Sequence, residues 1–304
     1  MYRLNLPKKV YFKTGSYMVA LRELTEVYHL KRAFVVTDEH LFVTGVAAPV
    51  LLQLSRQGMR TAEYFSINGA PTFASLRAAM PSVNAFVPDA IVGVGGGAAM
   101  SAAKAIWAMY EAPDLDLAAA VKDPSLIPAG SKSQLVLVAS SFGSGAQNSP
   151  IAVLQSDDGE LVQLVSQNLM PVISSTDADF AASMTAAQIH AAGAKAMTMA
   201  LHALTAEDCC EYPGGLLDEA ISLLLKYLKY AEDGCPRALA KVHSAGGIAG
   251  LAYGNVTMPA TAAEALKPLD AAELIKCERV ATLARKLGYA DAAALVKDCE
   301  IVCS

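Results

Sequence analysis

Gly93-Val94-Gly95-Gly96-Gly97-Ala98 is the stretch on which the fold turns. It follows Ala90-Ile91-Val92, a β-branched apolar run, and precedes Ala98 to Tyr110, whose small and apolar residues recur at helical spacing. Glycines between a strand and a helix let the backbone approach a pyrophosphate, whose charge is favoured by the free N–H groups and dipole of the helix start. The stretch therefore reads as a phosphate cradle. The plainer alternative is a tight strand-to-helix turn with no ligand.

Working outward, Val10-Tyr11-Phe12 reads as an edge strand, and Ala33 to Asp38, Ala62 to Phe65 and Leu135 to Ala139 as further strands. Helix-length segments separate them, at Tyr17 to Tyr28, His40 to Gln57 and Thr72 to Met80. Strands alternating with helices imply an α/β domain, a parallel sheet covered on both faces in the Rossmann-like manner. Asp157-Asp158-Gly159 suits a hairpin turn between Ile151 to Leu154 and Leu161 to Leu164.

From about Asp179 the chain becomes rich in alanine and leucine, with helices at Thr185 to Leu204, Leu216 to Ala231, Cys235 to Tyr253, Ala272 to Leu287 and Asp291 to Val302. Pro213-Gly214-Gly215 and Gly234 read as breaks between them. The expected division is an α/β domain over residues 1–178 and an all-helical C-terminal domain over 179–304. A cleft between two domains is the default place for a ligand.

Composition narrows the function classes. The 304 residues are 54% hydrophobic and 17% charged, so a compact globular chain is expected. The net charge is -5 and no Lys/Arg cluster could track a phosphate backbone, which argues against nucleic acid as a partner. No membrane span and no apolar leader segment are read, so a cytoplasmic location is expected. The cysteines at 209, 210, 235, 277, 299 and 303 lack Cys-x2-Cys spacing and read as free thiols.

The glycine loop does not have Gly-x-Gly-x-x-Gly spacing. With Tyr11-Phe12-x-x-Gly15, Val35-Val36-Thr37-Asp38, Ala102-Ala103-Lys104-Ala105-Ile106, Ser140-Ser141-Phe142-Gly143-Ser144-Gly145 and Leu169-Met170-Pro171, all in order, it resembles the iron-containing alcohol dehydrogenase family. That resemblance implies a dehydroquinate synthase-like fold and NAD(P)-dependent alcohol or aldehyde oxidoreduction. It also assigns roles: Asp38 to the adenosine ribose, pointing to NAD over NADP; Gly95, Gly96 and Gly97 to the pyrophosphate; and Ser140, Ser141 and Ser144 to adenine, ribose or phosphate. Departures occur at Ala98 and Ser101, where the family has serine and aspartate, at Ala146-Gln147, where it has Ser-Glu, and at Glu160-Leu161, where a lysine is expected. Each removes a hydrogen bond worth roughly 0.5–3 kcal/mol, so weakened NAD binding is expected.

The same resemblance extends to Gly193-Ala194-Lys195-Ala196-Met197-Thr198-Met199-Ala200, the family's metal-bearing helix. The family's aspartate and histidine ligands fall at Lys195 and Met199, and no histidine follows His243 to supply the others. Cys277 to Gly288 resembles a late family helix, so the helical domain reads as truncated relative to the family, with the segment between it and Asn255 lost. No metal is expected. Lys195 and His202, on one face of that helix, are the candidate catalytic groups.

The resulting expectation is a catalytically impaired, nucleotide-binding member acting as a structural or regulatory subunit. Its alternatives are a metal-free oxidoreductase using Lys195 or His202, and a metal enzyme completed by a partner chain. A mean hydropathy of +0.35 and the lost covering helices predict a homo-oligomer or association with a related active subunit.

Overall fold

The computed structural model describes residues 3–256, 267 and 269–304. The chain divides into two compact units. One is an α/β unit of Leu6–Ser140 and Ala146–Phe180; the other is helical, running from Ala181 and taking in Ser141–Gly145 and a short N-terminal stretch ending at Asn5.

The α/β unit contains the strands β1 (Lys9–Phe12), β2 (Arg32–Thr37), β3 (Arg60–Tyr64), β4 (Ala90–Gly95), β5 (Gln134–Ala139), β6 (Ile151–Gln155), β7 (Leu161–Val165) and β8 (Ile173–Thr176). Six form a parallel sheet in the order β1-β8-β5-β4-β2-β3, while β6 and β7 make an antiparallel hairpin. Alternate side chains of a strand point to opposite faces, and here both faces are buried. Phe34, Val36, Ile91, Leu135 and Leu137 enter one core with Leu76, Met100 and Ile106. Ala33, Val35, Val92, Val94, Val136 and Val138 enter the other with Leu21, Leu24, Val50 and Leu54.

The helices supplying those partners are α1 (Ser16–Glu26), α3 (Ala48–Arg56), α4 (Phe73–Phe86) and α5 (Gly97–Glu111), with the short α2 (Glu39–Val43) and α6 (Leu117–Lys122) between them. Several expectations need correction. His40 to Gln57 is two helices, because Gly45 turns with φ 77° after α2. The helix expected to end at Met80 runs through Pro81 to Phe86. Helix α6 and strand β8 were not anticipated. Ile173-Ser174-Ser175-Thr176 is short and polar, yet all four residues are buried because β8 lies between β1 and β5.

The helical unit is built on α7 (Ala186–Thr205), α8 (Glu211–Glu232) and α9 (Pro236–Tyr253), followed by α10 (Ala271–Lys276), α11 (Glu278–Leu287) and α12 (Ala292–Cys303). A reciprocal cap between Thr185 and Gln188 starts α7. Pro213-Gly214-Gly215 is no break: it lies near the start of α8, where a missing proline N–H costs nothing. The helix expected over Ala272 to Leu287 is interrupted at Cys277, which caps α11. The expected lost segment falls partly on 257–266 and 268, outside the described residues.

Glycines decide how α9 meets the loop Ser141–Gly145. A Cβ on Gly246 would stand 1.9 Å from the Phe142 carbonyl oxygen, and one on Gly250 would stand 2.3 Å from that of Gly145. One turn earlier, His243 is fully buried, its ring edge-on to Phe142 at 6.1 Å. Neither ring nitrogen has a partner among the described residues, and burial pushes the imidazole down to about 4.

Gly246→Ala is expected to destabilise the helical unit by about 1–3 kcal/mol, because the obstacle is backbone and cannot rotate away. Urea unfolding followed by circular dichroism measures this, and an unchanged midpoint would refute it. His243 predicts an acid limb. Above the ordinary histidine value of 6.5 the ring is neutral whether folded or unfolded. Below it the unfolded chain takes up a proton that the folded chain refuses until about pH 4, so stability falls as pH drops through that window. His243→Leu should flatten the limb; an identical pH slope in the variant would exclude His243 as its source.

Candidate functional site

Strand β2 continues through α2 and α3 to β3 on its outer side, whereas β4, its neighbour on the other side, continues through α5 to β5. Two adjacent parallel strands whose connections leave in opposite directions open a crevice at their carboxyl ends. Asp38 and Gly95 stand there. A cavity of about 520 Å³ lies beside them, lined by Asp38, Glu39, His40 and Ala98 together with Asn68 and Gly69, and walled by Val43 and Ile67.

Each lining group has a local reason for its place. Asp38 caps α2: its Oδ1 accepts the Leu41 N–H at 2.8 Å. Its Oδ2 faces Gly95, standing 3.3 Å from where a Cβ on that residue would be. That Cβ would also be 2.6 Å from the Ala99 Cβ, and Gly95 holds φ 153°, so glycine is required on two counts. Gly96 caps α5 with no side chain bonded to the first-turn N–H groups. Those donors and the dipole of a fifteen-residue helix are what a phosphate needs. Beneath Asp38, the buried Thr37 hydroxyl has no partner among the described residues.

The structure gathers Asp38, Gly95, Gly96, Gly97 and Ser140 in one unit. Ser140 is buried, and its N–H donates to the Gly95 carbonyl at 2.9 Å, seating it against the glycine loop. Ser141 and Ser144 belong to the helical unit, in the loop that meets α7 and α9. Two of the residues that depart from the family pattern have structural work in the α/β unit: Ser101 Oγ accepts the Val153 N–H at 3.0 Å, and Gln147 Nε2 donates to Thr176 Oγ1 at 3.2 Å. Sequence reasoning did not single out Glu39, His40, Asn68 and Gly69. The usable signal was Asn68-Gly69, a turn dipeptide following β3.

On α7, Lys195 is exposed, and its Cβ lies 3.4 Å from where a Cβ on Gly143 would be. Met199 and His202 are half-buried; His202 Nε2 donates to the Lys267 carbonyl at 2.7 Å. That bond commits one ring nitrogen of His202. Among the described residues no three His, Cys, Asp or Glu side chains converge to hold a metal ion, and an ammonium at 195 repels one. No described helix is long and apolar enough to cross a membrane.

The family described as iron-containing alcohol dehydrogenase matches residues 7–178. The bifunctional aldehyde-alcohol dehydrogenase AdhE of Escherichia coli K12 is 34% identical over 265 residues, covering 82% of this chain. The chain spans only 29% of that relative's length. Among solved structures, the iron-containing alcohol dehydrogenase of Thermococcus thioreducens superposes with a TM-score of 0.85 at 21% identity, covering 99% of this chain and 85% of that one. Sulfoacetaldehyde reductase of Bifidobacterium kashiwanohense in complex with NAD+ gives a TM-score of 0.86 at 19% identity, with coverage of 99% and 85%. These likenesses establish a Rossmann-like domain followed by a helical one.

Gly95→Ala tests the cradle. Its strained backbone and the Ala99 contact predict a loss of about 1–3 kcal/mol in stability. Differential scanning calorimetry is the measurement; a variant as stable as the parent would show that Gly95 is not needed for conformation.

Proposed function

Because the chain belongs to the iron-containing alcohol dehydrogenase family, an oxidoreductase family, we propose that it keeps the family's dinucleotide site, binds NAD weakly and serves as a catalytically impaired structural or regulatory subunit. The observation that carries the nucleotide half is the pairing of the Asp38 crevice with the uncapped start of α5. Gly95, Gly96 and Gly97 hold the pyrophosphate against the free N–H groups, and Ser140 closes that side. Asp38 accepts from a ribose hydroxyl. Asp38 and Glu39 together repel a 2′-phosphate, so NAD is preferred to NADP. Bound there, NAD supplies a hydride acceptor.

The metal half does not fit. Lys195 and Met199 stand where the resemblance puts an anionic and an imidazole ligand. An ammonium cannot bind a cation, and a thioether is a poor match for a hard ion. Without a Lewis acid, alcohol oxidation lacks several kcal/mol of charge stabilisation, and no step is assigned through a metal.

A second reading, a metal-free reductase, draws on Lys195: exposed on α7, it makes no hydrogen bond or ion pair among the described residues and could polarise a carbonyl. The committed hydrogen bond makes His202 the weaker acid candidate. As for partners, Phe12 and Val10 are exposed on edge strand β1, which suits a homo-oligomer or pairing with an active relative.

NADH and NADPH titrations followed by nucleotide fluorescence, with metal analysis of the same protein, test the proposal. The expectation is NADH binding at least about tenfold tighter than NADPH, a difference that Asp38→Gly erases, and substoichiometric metal. One iron or zinc per chain, or no NADH binding at all, would overturn it. Aldehyde reduction lost in Lys195→Ala would move the assignment to the second reading.

A further inference from the structure

Lys104 is the most deeply buried cation of the α/β unit. It lies two turns into α5, on the helix that the glycine loop begins, with no exposed surface. Its Nζ donates to three main-chain carbonyls: Ala146 at 2.7 Å, Ser149 at 2.6 Å and Ile151 at 2.7 Å. Among the described residues no carboxylate pairs with it. An ammonium has three donors, and all three are used on one stretch of backbone. An apolar side chain would fill the space more cheaply, since burying a charge is costly even when it is fully bonded. What only a cation supplies is three short charge-assisted bonds converging on a point.

The stretch it grips is the return leg of the serine- and glycine-rich loop. Ser140, at the outgoing end, is tied to Gly95 by its N–H; Ala146, at the returning end, is tied to Lys104 by its carbonyl. Both anchors therefore belong to the strand-loop-helix that forms the phosphate cradle. Around Lys104 the same leg receives Ser101 Oγ at Val153 N, Ser174 Oγ at Asn148 Oδ1 and Gln147 against Thr176. Lys104 supplies the only formal charge in this set.

We propose that Lys104 is a positioning residue that fixes the Ala146–Ile151 leg to the glycine-loop helix, and thereby sets the α/β unit's own side of the phosphate site for a dinucleotide. The second half rests on the nucleotide reading above; the first does not. Burial presses the Lys104 ammonium down to about 7, so the bonds that hold the leg weaken as the pH rises through that range. The acceptors that face it, from the Ala146–Asn148 turn, Ser149 and the start of β6, are all uncharged.

The test pairs Lys104→Met with the parent protein. Hydrogen–deuterium exchange should accelerate selectively in peptides covering Ser140–Ile151, with β2 and β4 unchanged. NADH affinity should fall by about tenfold or more while AMP, which needs only the crevice at Asp38, binds within about twofold of the parent. Parent NADH affinity should itself decline above about pH 7, and that slope should vanish in the variant. Lys104→Gln, which keeps a donor, is measured beside it in case the methionine variant does not fold. Unchanged exchange in the leg overturns the inference, as does an equal loss of AMP and NADH, which would mark Lys104 as merely structural. A parent protein that binds no NADH instead overturns the nucleotide reading, and the exchange measurement still decides whether Lys104 holds the leg.

Discussion

Strands β2 and β4 lie side by side in the sheet, yet their chains leave the shared edge in opposite directions. No helix can cover the gap that this divergence leaves at their carboxyl ends. The crevice is thus a consequence of strand order, and whatever residues end β2 and β4 become its walls. Here they are an aspartate and three glycines. The aspartate satisfies a neighbouring helix with one oxygen and presents the other to the gap. The glycines bring backbone, and no side chain, to the start of a long helix.

Two buried basic groups show how differently this chain treats polarity inside. Lys104 is enclosed and all of its donors are used. His243 is equally enclosed and has no partner among the described residues. The first arrangement ties backbone together across sequence; the second is held in place by packing against Phe142 and by the glycines that let α9 come close. One is an electrostatic clasp, and the other is a steric consequence of near contact between main chains.

Much of this was legible in the sequence. The glycine run after a β-branched strand, and the alternation of strands with helices, pointed to a parallel sheet because both patterns follow from local geometry. The hairpin followed from Asp-Gly. What escaped was decided by partners distant in sequence. Ile173 to Thr176 has no pattern of a strand and becomes one only because two others bind it on either side. Pro213 reads as a breaker unless its position in the first turn is known. Asn68 and Gly69 line the crevice through the path of a turn, and Lys104 looks like any helix lysine until three carbonyls from forty residues away converge on it. Asp38 was legible as a strand-end acid capping the next helix, because that bond is local in sequence.

The position of β8 bears on how the protein is made. The first strand of the α/β unit, β1, has β8 as its sheet neighbour, and β8 is the last strand of that unit to be synthesised. Until Thr176 emerges, β1 waits unpaired while the chain between them is synthesised. Such a closure has high contact order, which makes it slow to form. The edge of the sheet at β1 is therefore sealed only by a contact that spans the whole α/β unit.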